Sequence, residues 1–294
     1  MMTTLITIGI VCIIAAIVGG GLSAFQIEIP VLSSLKRQII LGVFGLILIV
    51  SANWTTILKL SNAPQTPGST DSSAQYLLSA DLSSKMDSIR NQGTENSAVG
   101  FALADMMHYA YLKFKNENIQ FSPRYIYNEV RAMDSNLNSD VGMDMEEGIQ
   151  LLIAKGAVAE TEWPYKFGES ANNEPPNVKN AYHYKLKNYT SISVSLQTFK
   201  DNLSSGFPII AGIEFYQPFL SSETAKTGIL PLVNLSDSKV SLRGLVIVGY
   251  DDQKGLLKIK NTWGTSWGNR GYGYIQYKDA INIISVAYIF TEVE

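Results

Sequence analysis

Two uncharged apolar runs stand close together near the start of this 294-residue chain, and they leave the first 60 residues few structures to adopt. Leu5 to Leu22 reads LITIGIVCIIAAIVGGGL, and Ile39 to Val50 reads IILGVFGLILIV, extending through Trp54 towards Leu60. A membrane-spanning helix needs roughly 20 apolar residues. The first run supplies them. The second does so with Ser51, Asn53 and two threonines placed near the interface, a depth that suits Trp54. The first run lacks the basic n-region of a signal peptide. The runs therefore predict a membrane anchor over residues 1–60, built from two transmembrane helices at about 5–23 and 39–57. Gly42, Gly45, Ala15, Ala16, Gly19 and Gly20 would let the two helices approach closely. Lys36 and Arg37 between the runs place that connection in the cytoplasm by the positive-inside rule, although Lys59 pulls the other way. The expectation is an integral membrane protein whose large domain is extracytoplasmic.

Residues 61–74, SNAPQTPGSTDSSA, have the composition of a flexible linker. From 75 to 294 the composition is globular. Only Glu28, Lys36, Arg37 and Lys59 carry charge before Ser61, so the remainder holds 20 basic and 25 acidic side chains. That mild acidity argues against nucleic acid as a partner. The one cysteine, Cys12, lies in the first apolar run, so residues 75–294 contain neither a thiol nor a thiolate metal site. With only His108 and His183 in the chain, a histidine metal cage is not expected, and neither metal nor cofactor is predicted.

Within 75–294, apolar spacing predicts helices first. Ser97 to Lys115 opens on an N-cap serine, Ser122 to Ser135 carries Pro123 at its first position, and Met143 to Lys155 ends at Gly156. Strands follow at Pro208–Tyr216, Gly244–Tyr250, Leu256–Asn261, Tyr272–Tyr277 and Ser285–Thr291, with DDQKG as a hairpin turn between the second and third. Helices followed by an antiparallel sheet predict an α+β domain of two lobes.

Four segments, in order, resemble the papain-like (C1) cysteine peptidases. They are Asn91-Gln92-Gly93 leading into the helix at Ser97; SPRYIYNEVR with GMDMEEGIQLLIAKGAVAETEWPY; LQTFKDNLSSGFPIIAGIEFYQPF; and RGLVIVGYDDQKGLLKIKNTWGTSWGNRGYGYIQY. KNTWGTSWGNRGYGYI is the most specific, and the SPR-x-x-Y and WPY segments look like the bacterial branch. The resemblance implies a papain-like two-lobe fold, a helical lobe plus an antiparallel β-barrel lobe, behind the transmembrane hairpin. It implies that Gln92 is the oxyanion-hole glutamine and Asn261 the orienting asparagine. It also implies that the nucleophile position is occupied by Ala98 and the histidine position by Arg243. Glu95 would lie near the cleft floor, and Asn96 would replace a glycine of the cleft wall.

Alanine has no atom that attacks a carbonyl, and arginine stays protonated and cannot act as a base. Ser97 precedes Ala98 and would point about 100° away on the helix. The expectation is a pseudopeptidase that binds a peptide or protein partner, membrane-associated like the chain itself, through the former cleft, using Glu95, Asn96, Arg243 and Trp263. The alternative is a structural or assembly subunit of a membrane complex with a closed cleft; residual or unrelated hydrolysis stands behind both. Gln92 and Asn261 have a second reading, as groups that satisfy buried backbone, and Trp263 and Trp267 as packing. Arg243 either presents its guanidinium to a ligand or pairs with an acid, with Glu95 the candidate. Asp140, Asp144, Glu146 and Glu147 read as solvated charges at a helix start.

Overall fold

The computed structural model describes residues 22–24, 27–29, 77–168, 178, 182–234 and 236–294. The chain divides into two units, 1–74 and 75–294. In the first, β1 (Leu22–Ala24) and β2 (Ile27–Ile29) pair antiparallel with Leu22 opposite Ile29. Backbone pairing thus begins at Leu22, within the end expected for the first span. The rest of the two expected spans and the 61–74 linker lie outside the described residues. Among the described residues no helix is long and apolar enough to cross a membrane.

The second unit opens with β3 (Ser79–Asp81) and three helices, α1 (Ala98–Lys115), α2 (Pro123–Met133) and α3 (Met145–Ala154). Next come β4 (Leu186–Ser191), α4 (Leu196–Ser204), β5 (Ile209–Tyr216) and α5 (Ser222–Thr227). The chain ends with β6 (Lys239–Asp251), β7 (Leu256–Lys260), β8 (Tyr272–Gln276), α6 (Tyr277–Ile283) and β9 (Ile284–Val293). The strands form one seven-stranded antiparallel sheet in the order β4-β9-β5-β6-β7-β8, with β3 added on β6. The sequence reading omits β3, β4 and helices α4 to α6, and it starts β6 five residues late. Lys239 to Leu242 are exposed and alternate polar with apolar side chains, so no continuous apolar run marks them as part of the strand. Their partners on β5 make them one: Glu214 faces Leu242 and Phe215 faces Ser241.

Helix starts follow local chemistry. The Ser122 side chain accepts from the Tyr125 N–H, with Pro123 in the first turn. Asp144 accepts from the N–H groups of Glu146 and Glu147, so α3 begins at Met145 rather than Met143. Ser97 holds the N-cap position of α1 without a side-chain capping bond. From Ala98 to Tyr111 every residue of α1 except Val99 is buried. A helix apolar on nearly all sides belongs inside a protein, and small residues let its neighbours close in. At Gly244 on β6, a Cβ would lie 2.8 Å from Val99 Cγ2. That contact seats the first turn of α1 directly on β6.

β6 divides its side chains between two cores by the two-residue period of a strand. Val246 and Val248 join the cluster built around the three long helices, with Ile210. Leu245 and Ile247 join a second cluster with Leu257, Ile259 and Ile275. The two halves are joined by ions as well. Lys260 Nζ donates to Asp105 Oδ2 at 2.6 Å, both side chains being 2% exposed, and Arg90 Nη2 lies 3.6 Å from Asp105 Oδ1. Removing one partner of a buried pair costs about 3–5 kcal/mol, because a charge is left uncompensated. Lys260→Met is expected to lose about 3 kcal/mol, the lower end, since Arg90 still faces Asp105. Urea unfolding checks this, with Lys187→Ala, which breaks a surface pair with Glu292, staying close to the parent midpoint.

Candidate functional site

The site lies where the Gln92–Ser97 segment, the start of α1, the middle of β6 and the turn after β7 meet. The segment is hung on the turn: Gln92 N donates to Thr262 O at 2.8 Å, Gly264 N donates to Arg90 O at 3.1 Å, and Asn91 bridges Trp263. Gly93 takes a left-handed φ of 65°, and its N–H donates to Asn91 Oδ1 at 2.9 Å, which turns the chain towards the helix.

Gln92 is the hub, 3% exposed. Its Oε1 accepts from Arg243 Nη2 at 2.6 Å and from the Thr262 hydroxyl. Its Nε2 donates to the Glu95 carbonyl at 2.5 Å, and its backbone carbonyl accepts from the Tyr165 hydroxyl at 2.6 Å. The amide orientation is dictated by its neighbours. A guanidinium only donates, so Oε1 faces it; a carbonyl only accepts, so Nε2 faces Glu95. One of the two amide hydrogens expected to serve an oxyanion is therefore committed to the protein's own backbone.

Arg243 is half-buried and lies against aromatic faces, its guanidinium carbon 4.5 Å from the Trp263 ring centre and 5.4 Å from that of Phe215. Burial alone pulls its pKa down to about 10, so it remains a cation at neutral pH and cannot take up a proton there. The pairing with Glu95 offered above is not found. Glu95 instead makes a buried ion pair with Arg124 Nη1, and Arg124 stacks 4.5 Å from the centre of the Tyr165 ring. Arg124 is closer because α2 presents it beneath the 92–97 segment, whereas Arg243 is held back by Gln92. Among the described residues no carboxylate forms an ion pair with Arg243.

Asn96 is exposed but tied down. Its N–H and side-chain amide donate to the Asp140 carboxylate and carbonyl at 2.7–3.3 Å, and Tyr127 donates to the same carboxylate. Asp140, although exposed, thus fastens the 92–97 segment, whereas Asp144, Glu146 and Glu147 are the exposed charges at the start of α3. Asn96 has no left-handed backbone. Asn261 is fully buried; its Oδ1 accepts from the Thr262 N–H at 2.8 Å, while its Nδ2 has no partner. Ala98 is 6% exposed at the first position of α1. Trp267 is packed in the second core, and Trp263 is its half-buried neighbour at 5.5 Å. His108 bonds Ile119 O and His183 lies by Tyr125 and Lys155, so neither joins the cluster. Thr262, Arg124, Asp140 and Tyr165 are the members that the sequence reading missed. Arg124 and Tyr165 sat inside the SPR and WPY segments, which marked them without showing what they hold.

The papain family cysteine protease model matches residues 78–290. The chain belongs to the papain family. An uncharacterized peptidase C1-like protein of Acanthamoeba polyphaga mimivirus is 28% identical over 215 residues, 69% of each chain. Peptidase 1 of Euroglyphus maynei is 26% identical over 63% of this chain, which spans 56% of that protein. The fold is shared with xylellain, a cysteine protease from Xylella fastidiosa, at a TM-score of 0.69 and 24% identity over 80% of this chain and 93% of that one.

The ties around Gln92 predict a local loss of order when they are cut. Arg124→Ala leaves the Glu95 carboxylate buried without its cation, and faster amide exchange is expected at 92–97 than in α1, read by hydrogen-exchange mass spectrometry.

Proposed function

We propose that this papain-family chain is a membrane-anchored pseudopeptidase of the bacterial-type branch that binds a peptide or protein partner through its former active-site cleft. The observation that carries it is Arg243, a cation bonded to the glutamine hub and stacked on Trp263 where the family resemblance sets a histidine. Papain-type hydrolysis needs a thiolate beside a base. Residues 75–294 hold no cysteine, and Arg243 offers only donors. A second reading, an assembly subunit with a closed cleft, draws support from Glu95 and Asn96 being spent on Arg124 and Asp140. Trp263 and Arg243 remain partly open, which favours binding.

The purified full chain is expected to release no fluorophore from a panel of peptidyl-coumarin substrates and to resist labelling by a thiol-directed epoxide within residues 75–294. The Ala98→Cys/Arg243→His double variant is expected to take up the epoxide at residue 98. Hydrolysis by the parent chain that persists in an Arg243→Ala/Gln92→Ala variant would be contamination, and hydrolysis abolished by it overturns the reading. For the anchor, the full chain is expected to stay with membranes through an alkaline carbonate wash, and residues 75–294 alone to be released.

A further inference from the structure

Among the described residues the former cleft holds a cation, Arg243, most of whose donor groups have no acceptor within the protein. The guanidinium has five N–H groups. Among the described residues it spends them on Gln92 Oε1 alone, and Nε is buried with no partner. Asn261, fully buried one residue before Thr262 of the same cluster, leaves its Nδ2 likewise unbonded. The acids of the surrounding segments face other partners: Glu95 pairs with Arg124 through Oε1, its Oε2 left buried and unbonded, Asp140 accepts from Asn96 and Tyr127, and Asp105 pairs with Lys260. The first turn of α1 lies against the residue after Arg243, and the N-terminal end of an 18-residue helix adds a partial positive charge. Gln92 turns its amide oxygen, not its N–H, towards the guanidinium, so the side chain is oriented and its charge is not cancelled.

Unspent donors, a partly buried cation that pairs with no carboxylate among the described residues, and a helix start all favour the same ligand atom, an anionic oxygen. We infer that the partner presents a carboxylate to Arg243. The inference rests on the cleft-binding reading above and narrows its ligand to peptides bearing a carboxylate at this point. The planar fork of arginine bonds a carboxylate through two parallel N–H groups. The guanidinium carbon lies 4.5 Å from the centre of the half-buried Trp263 ring, which helps to hold it in place. The carboxylate has two sources, the C-terminus of a chain or an Asp or Glu side chain.

The test uses the full chain in detergent and random hexapeptide pools in three forms: free C-terminal acids without Asp or Glu, C-terminal amides without Asp or Glu, and amides carrying one Asp. Enrichment from the first pool assigns a C-terminal carboxylate, and from the third a side chain. A peptide so selected should bind at least about 10-fold more weakly once its carboxylate is converted to an amide. Arg243→Gln should remove that difference, and Arg243→Lys, which keeps the charge and loses the fork, should keep part of it; circular dichroism and thermal unfolding confirm that both variants fold. Equal enrichment of the neutral amides, unaffected by Arg243→Gln, overturns the carboxylate and leaves the groove standing. If no pool is enriched, the cleft-binding reading fails and this inference with it.

Discussion

The buried ion pair of Lys260 with Asp105 is the constraint on which the site's geometry depends. Asp105 stands two turns into α1, and Lys260 is the last residue of β7, so the pair fixes the helix against the strand end that delivers Asn261, Thr262 and Trp263. A single point of attachment leaves one body free to rotate about it. The rotation is stopped by Gly244, where the backbone of β6 meets Val99 without an intervening side chain. With those two contacts in place, the Gln92–Ser97 segment has little choice: its start is bonded to Thr262 and its end runs into α1.

A hydrogen-bonding hub then converts that frame into a chemical environment. Gln92 accepts from two donors and gives one hydrogen to Glu95, so its polarity is set from three sides. Glu95 and Asn96 look outward in a linear reading of the sequence, yet each is claimed by a residue from the helical half. The consequence is a wall held rigidly from behind, with the guanidinium and the indole of Trp263 as its forward features. The papain-family match spans 78–290, and the one cysteine of the chain, Cys12, lies outside it.

Much of this was legible in the sequence where the information is local. Ser-Pro at 122–123 and Asp144 mark helix starts because capping is decided within three residues. The apolar run ending in VGYD, the DDQKG turn and the next apolar run give the β6–β7 hairpin, whose register closes with Asp251 opposite Leu256. The strands β3 and β4 are polar and short, and become strands only by lying on β6 and β9. Partner choice among charges was not legible. Arg243 and Arg124 are equally cationic on paper, and only the placement of α2 gives Glu95 to Arg124. The orientation of the Gln92 amide was hidden for a related reason: a carboxamide both donates and accepts, and its neighbours alone decide which end faces the cleft.

The division of β6 between two cores has a consequence for how such a chain can vary. Leu245 to Val248 feed opposite interiors in turn, and the register shift between Ile247 and Gly249 brings Tyr250 back to the interior of Leu245 and Ile247, so a further residue inserted before Val248 would reverse the faces that this spacing sets. Val248 would leave the helix cluster, and Gly249 would no longer meet the backbone of β3. The turn at 252–255 lies outside both interiors, so a change of length costs less there than in the strand. The reading frame of this one strand, its bulges included, acts as a ruler for the domain: it decides which interior each side chain enters.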